Sequence, residues 1–98
     1  MTALRKREHP EARAELRSAG HWYEIERRGL GSRFLDETHA AITGMLDWPN
    51  AAPPVPDWHR EPLVRHKRVK VFPYRIVCYV ADIEIAILAY THQRCRPG

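Results

Sequence analysis

Tyr90, His92 and Arg94 stand at alternate positions near the end of the chain, downstream of Phe72-Pro73-Tyr74-Arg75 and of the basic run Arg65, Lys67, Arg68 and Lys70. An imidazole moves protons near neutral pH, and a guanidinium offers several donors to one phosphoryl group. Opening a phosphodiester through a neighbouring hydroxyl needs a base, an acid for the leaving oxygen and cations for the developing charge. Arg65, Lys67, Arg75, Tyr90, His92 and Arg94 supply those groups in kind. The same cations serve equally well as contacts to a phosphate backbone or an acidic protein surface, and there Arg65, Lys67, Arg68, Lys70, Arg75, His92 and Arg94 form the candidate target-binding set. Basic side chains also guard sheet edges against aggregation, and Tyr74, Tyr79 and Tyr90 have the composition of core aromatics with a satisfied hydroxyl. His92 and Cys95 are spaced like a pair of metal ligands, but a structural zinc site takes four. No metal and no cofactor is expected.

With 98 residues, 44% of them apolar, the chain is expected to form one domain over residues 1–98 around a single core. It leaves no room for a cofactor-binding fold. No apolar run approaches the roughly 20 residues of a membrane span, and the first residues lack the apolar stretch of a signal peptide. A soluble, cytoplasmic protein without a membrane partner is therefore expected. Two cysteines are too few for a disulfide framework; Cys78 reads as a small buried hydrophobe. The net charge of +4 is unevenly placed, with eight Lys/Arg against nine Asp/Glu over residues 1–59 and eight against three over 60–98. The positive field belongs to the strand-rich half, which favours a macromolecular partner over a pocketed metabolite.

These side chains must be held by elements legible in the spacing. Pro10 suits a first helical turn, and Glu11 and Glu15 suit the positive end of a helix dipole. Ala12, Leu16, Ala19 and Tyr23 then recur at helical spacing, predicting a helix over about 10–28. Gly29 and Gly31 bracket Leu30 as a stop and restart. Phe34, Leu35, Thr38, Ala41, Ile42 and Met45 predict a second helix over about 32–47, folded back on the first as a hairpin. Trp48-Pro49 ends it, and residues 49–60 read as a proline-stiffened connector. Strands are expected over about 63–72, 74–80 and 83–91, with Ile83, Ile85, Ile87 and Ala89 on one side of the last and Ala86, Leu88 and Tyr90 on the other. Residues 2–7 suit a short edge strand. The order is β-α-α-β-β-β, an α+β fold with the helical hairpin on one face of a small antiparallel sheet and basic residues on the other. Adjacent Trp22 and Tyr23 cannot both face that core, so one is expected to be exposed or covered by a partner.

Four stretches in this order carry a resemblance: Pro10-Glu11-Ala12 leading into Trp22-Tyr23-Glu24, Gly29-Leu30-Gly31-Ser32-Arg33-Phe34-Leu35-Asp36-Glu37, Phe72-Pro73-Tyr74-Arg75-Ile76-Val77, and His92-Gln93-Arg94 with Pro97. Over about residue 10 to the end, the chain resembles the RelE/ParE superfamily of toxins from type II toxin-antitoxin modules, and the ParE branch most closely. The resemblance implies a growth-inhibiting toxin neutralised in a hetero-oligomer by a cognate ParD-like antitoxin, with Trp22, Tyr23, Leu30 and Phe34 as candidate antitoxin-binding residues. ParE-type members act on DNA gyrase without catalysis of their own, whereas RelE-type members are ribonucleases that cleave mRNA on the ribosome. Ribonucleolytic relatives usually enter the strand with Gly-Asp-Tyr-Arg where this chain has Phe72-Pro73-Tyr74-Arg75. Trp22-Tyr23 and Gly29-Leu30-Gly31 also favour the gyrase branch. A ribosome-dependent endonuclease is the alternative, and a degenerate binding module without toxicity is a further one.

Overall fold

The computed structural model describes residues 5–56, 58, 62–81 and 83–93 of the chain. Its first helix, α1 (Pro10–Glu26), begins where proline costs no hydrogen bond, and the His9 ring nitrogen Nδ1 accepts from the Glu11 amide at 3.2 Å. It stops at Arg27, whose backbone is extended, and Gly29 takes the left-handed conformation at φ 88°. The second helix, α2 (Leu30–Asp47), starts two residues earlier than the spacing of its apolar residues suggests. The reason lies in α1: the Glu24 carboxylate reaches across the connection and accepts from the amides of Gly29 at 2.9 Å and Gly31 at 3.1 Å. Those donors would otherwise be orphaned at a helix start.

The two helices cover one face of a four-stranded sheet ordered β1-β4-β3-β2, formed by β1 (Arg5–Glu8), β2 (Val64–Arg68), β3 (Tyr74–Ala81) and β4 (Glu84–His92). β2 with β3 and β3 with β4 are antiparallel, as expected, but β1 joins β4 in parallel, so the sheet is mixed. Connectivity explains this. The helical hairpin delivers the chain to the far edge of the sheet, and the two reversals that follow leave β4 running in the direction of β1.

β2 is shorter than expected. Residues 69–73 form a turn in which Val71 has φ 76°, a conformation costly for a β-branched residue, while Val69 and Phe72 on either side of it are buried. Two apolar anchors hold the strained residue between them. The residues before β2 are also more ordered than a plain connector: the Val55 amide donates to the Val64 carbonyl at 2.8 Å, and the His66 amide to Pro53 at 3.0 Å. This strap covers part of the β2 edge.

One irregularity decides which side chains meet. Cys78 pairs with Ile87 but Val77 pairs with Ala89, leaving Leu88 as an extra residue in β4. Strict alternation would place Tyr90 opposite to Ile85 and Ile87. The bulge instead puts Ile85, Ile87, Tyr90 and His92 on one face, registered with Val80, Cys78, Ile76 and Tyr74. That face meets the helices. Its core is built from Phe34, Thr38, Met45, Ile76, Ile85 and Ile87, with Tyr23, Phe34, Phe72 and Tyr74 as an aromatic cluster whose ring centroids lie 4.9 to 6.3 Å apart. Cys78 is buried beneath α2, its Sγ 3.8 Å from Met45 Sδ, and burial pushes its thiol pKa up.

Candidate functional site

Trp22 is 56% exposed while its neighbour Tyr23 is 8% exposed, as their adjacency on a helix requires. Tyr23 plugs the aromatic core, and Trp22 stands beside it, edge-on at 5.1 Å, above a cleft of about 550 Å³. The floor and far wall come from the ends of β3 and β4: Tyr74, Tyr90, Thr91 and His92, the Tyr74 and His92 rings meeting edge-to-face at 5.2 Å. Without the bulge at Leu88, Tyr90 and His92 would face away from α1.

Two carboxylates that residue spacing does not single out organise this corner. Glu8, at the end of β1, accepts the Tyr90 hydroxyl at 2.5 Å, and Glu15 on α1 accepts the Tyr90 backbone amide at 3.2 Å. Burial, and then the Glu8 carboxylate, push the Tyr90 phenol far above its ordinary pKa. It is a fixed donor to Glu8 rather than a source of phenolate. No spacing pattern links residues 8, 15 and 90, so only the fold could reveal the cluster.

The strand register divides the basic residues. On the sheet face away from the helices, Arg68 and Arg75 are directly opposed partners, with His66 registered against Val77 beside them. The Gln93 amide, oriented with its oxygen inward, accepts from Arg68 at 3.0 and 3.2 Å. His66 carries a buried Nδ1 without a partner among the described residues, and burial followed by the Arg75 charge lowers its pKa. Farther along this face Arg7 donates to the Tyr79 hydroxyl at 3.1 Å and lies 3.8 Å from Glu84. Arg65 and Lys67 have the opposite parity, registered with Cys78 and Ile76. Arg65 is occupied structurally, donating to the Ala52 carbonyl at 2.6 Å and so pinning the strap. Lys67 is exposed at the sheet edge, Lys70 is exposed in the turn, and Arg94 lies outside the described residues. Among the described residues of the expected basic set, the register sets Arg68 directly against Arg75. Of Trp22, Tyr23, Leu30 and Phe34, the last is fully buried and Tyr23 nearly so, leaving Trp22 and part of Leu30 as surface.

Among the described residues no three His, Cys, Asp or Glu side chains are placed to hold a metal ion, and no helix is long and apolar enough to cross a membrane.

No protein-family model matches the chain, and no curated protein matches it. Among solved structures it is similar to a chain described as "Chromosomal ParDE TA system from P. aeruginosa", with a TM-score of 0.75 over 92% of this chain and 96% of that one, at 16% identity. The likeness is one of fold, and it spans nearly the whole of both chains.

Proposed function

We propose that this chain is the toxin of a type II toxin-antitoxin module, that it stops growth by poisoning DNA gyrase, and that a ParD-like antitoxin neutralises it as a hetero-oligomer. The observation that carries the reading is the match of fold over 92% of the chain to a chain of a ParDE system. The cationic geometry favours gyrase over RNA. Cleavage through a 2′-hydroxyl needs base, acid and cations within hydrogen-bond reach of one phosphate. Here the register sets Arg75 on one face of the sheet and Tyr90 and His92 on the other, and the Tyr90 phenol is committed to Glu8. A protein that acts by occupying its target requires surface, which Arg68, Arg75 and the residues around them provide.

The test pairs two assays on one preparation. Purified protein with gyrase and relaxed plasmid is expected to block supercoiling and leave broken DNA, while an end-labelled message in a translating extract stays intact. Message cut at the ribosome with supercoiling untouched would establish the endonuclease reading instead. Protein inert in both, and harmless when induced without its neighbouring gene, would leave the non-toxic binding module.

A further inference from the structure

Val71 sits in the turn between β2 and β3 with φ 76°, and among the described residues it alone, glycine apart, has a positive φ. A β-branched side chain is crowded there, which is why turns that need this conformation favour glycine or asparagine. Burial could offset the cost, but Val71 is 65% exposed. Its neighbours fix the turn without it. Val69 and Phe72 are buried, the Val69 amide donates to the Tyr74 carbonyl at 2.9 Å, and the Gln93 amide donates to the Pro73 carbonyl at 2.8 Å. The Phe72 ring packs edge-on against Tyr23 at 4.9 Å and Phe34 at 5.1 Å. The chain thus holds an aliphatic side chain out in solvent, on a rigid mount, in a backbone conformation that opposes it. Strain of this kind gathers at clamps and recognition points, where the surrounding structure over-determines it.

We propose that the Lys70-Val71 tip is an anchor by which this chain docks on its protein target, Val71 entering an apolar socket while Lys70 and Arg68 meet carboxylates at the socket's edge. The inference rests on the toxin reading for the identity of the target. The neighbourhood of the tip selects a protein as the occupant. A hollow of about 330 Å³ lies beside it, lined by Val71, Phe72 and Pro73 with Arg68 and Lys70, so that an apolar knob and an apolar hollow stand between two cations. Arg68 continues this surface onto the outer sheet face, where it opposes Arg75. A phosphate backbone would satisfy the cations but has no place for an isopropyl group, and valine offers no ring on which a base could stack. A protein surface satisfies both, the aliphatic contact supplying affinity and the rim charges supplying encounter rate. A tip fixed in advance also avoids the cost of ordering a loop on binding.

The test replaces Val71 in the full chain and reads three quantities: melting temperature, potency against gyrase on relaxed plasmid, and affinity for the protein encoded beside it. Val71→Asn and Val71→Gly relieve the backbone and remove the aliphatic group. Both are expected to melt at or above the wild-type temperature, by up to about 8 °C, yet to need at least about 10-fold more protein to poison gyrase, with affinity for the neighbouring protein unchanged. Val71→Thr keeps the shape and the backbone cost but exchanges a methyl for a hydroxyl, so it should lose potency with little change in melting. Val71→Ile keeps the aliphatic group and should retain potency. Variants as potent as wild type overturn the anchor and leave the toxin reading standing. A fall in melting temperature in both Val71→Asn and Val71→Gly makes Val71 a packing residue and overturns the anchor likewise. Potency unchanged in the Val71 variants but lost in Lys70→Gln, with a steep salt dependence, assigns the turn to a nucleic acid instead. Affinity for the neighbouring protein lost with potency kept assigns it to the antitoxin. Wild-type protein inert on gyrase overturns the proposed function and the anchor together, and that arm is read before any variant is compared.

Discussion

Tyr90 ties three elements together through two atoms. Its hydroxyl donates to Glu8 of β1, and its amide, shifted by the bulge, donates to Glu15 of α1. Tyr90→Phe removes the first bond and leaves the Glu8 carboxylate without that donor, so it is expected to cost about 1.5–3 kcal/mol, the range for hydrogen bonds to charged groups. Denaturant unfolding near pH 7 reads this. A pH series supplies the sign: the folded-state pKa of the phenol is raised above its unfolded value of about 10, so its contribution is complete below pH 10 and declines above that as only the unfolded chain ionises. The difference between wild type and Tyr90→Phe should therefore narrow as pH rises from about 9.5 to 11. A constant difference would detach the phenol from the stability of this corner. Residue type picks out Tyr90 and His92, and crowding against Tyr23 picks out Trp22, but the sequence contains no sign that Tyr90 would meet Glu8 and Glu15. Glu8, Glu15 and Glu24 look like ordinary solvated charges on amphipathic segments until the chain has folded.

The helices show how far local rules reach. Proline at the start, glycine at the break and apolar residues every three or four positions locate α1 and α2 to within a turn. What they miss is a close approach between elements. A Cβ built on Gly31 would lie 2.5 Å from the Gly20 carbonyl oxygen and 2.9 Å from Glu24 Cβ, so the helical hairpin closes on backbone with no space for a methyl group. Alanine normally stabilises a helix interior by about 1 kcal/mol over glycine, yet here it must push α2 off α1 and disturb the Glu24 cap. Gly31→Ala is expected to destabilise by about 1–3 kcal/mol, the usual cost of overpacking. Gly44, in the same helix, would bring a Cβ within 4 Å of nothing beyond its chain neighbours and the helix's own backbone, and Gly44→Ala should be stabilising. Opposite signs in thermal melts of the two variants support the close approach; the same sign refutes it. The sheet is legible to a similar depth. Alternation locates β3 and β4, but an extra residue at Leu88 and a left-handed Val71 depend on packing between strands and leave no periodic trace. Alternation alone therefore puts Tyr90 on the wrong face and runs β2 too far.

At the scale of the molecule, charge and stability pull apart. The excess of cations over residues 60–98 is not one surface: Arg65 holds the strap, Lys67 follows the opposite parity, and Arg68 and Arg75 face each other across β2 and β3 without a carboxylate registered beside them. Like charges directly opposed on a sheet are destabilising, so the charges of the pair oppose folding, and the Gln93 amide oxygen that accepts from Arg68 offsets this only in part. If the outer face meets the target, Arg68→Gln/Arg75→Gln should abolish growth arrest, because removing one partner of a desolvated, charge-assisted hydrogen bond costs about 2 kcal/mol or more. Folding stability should change by less than about 1 kcal/mol, as for other exposed charges, and binding to the proposed antitoxin should persist. Arg65→Gln is the contrasting variant: without its 2.6 Å bond to Ala52 the strap loosens, and the unfolding midpoint should fall whatever happens to toxicity. Denaturation and growth curves on the two variants decide it. Full toxicity in Arg68→Gln/Arg75→Gln would remove the outer face from the target interface and direct attention to the Trp22 cleft, where an exposed indole stands over the ends of β3 and β4.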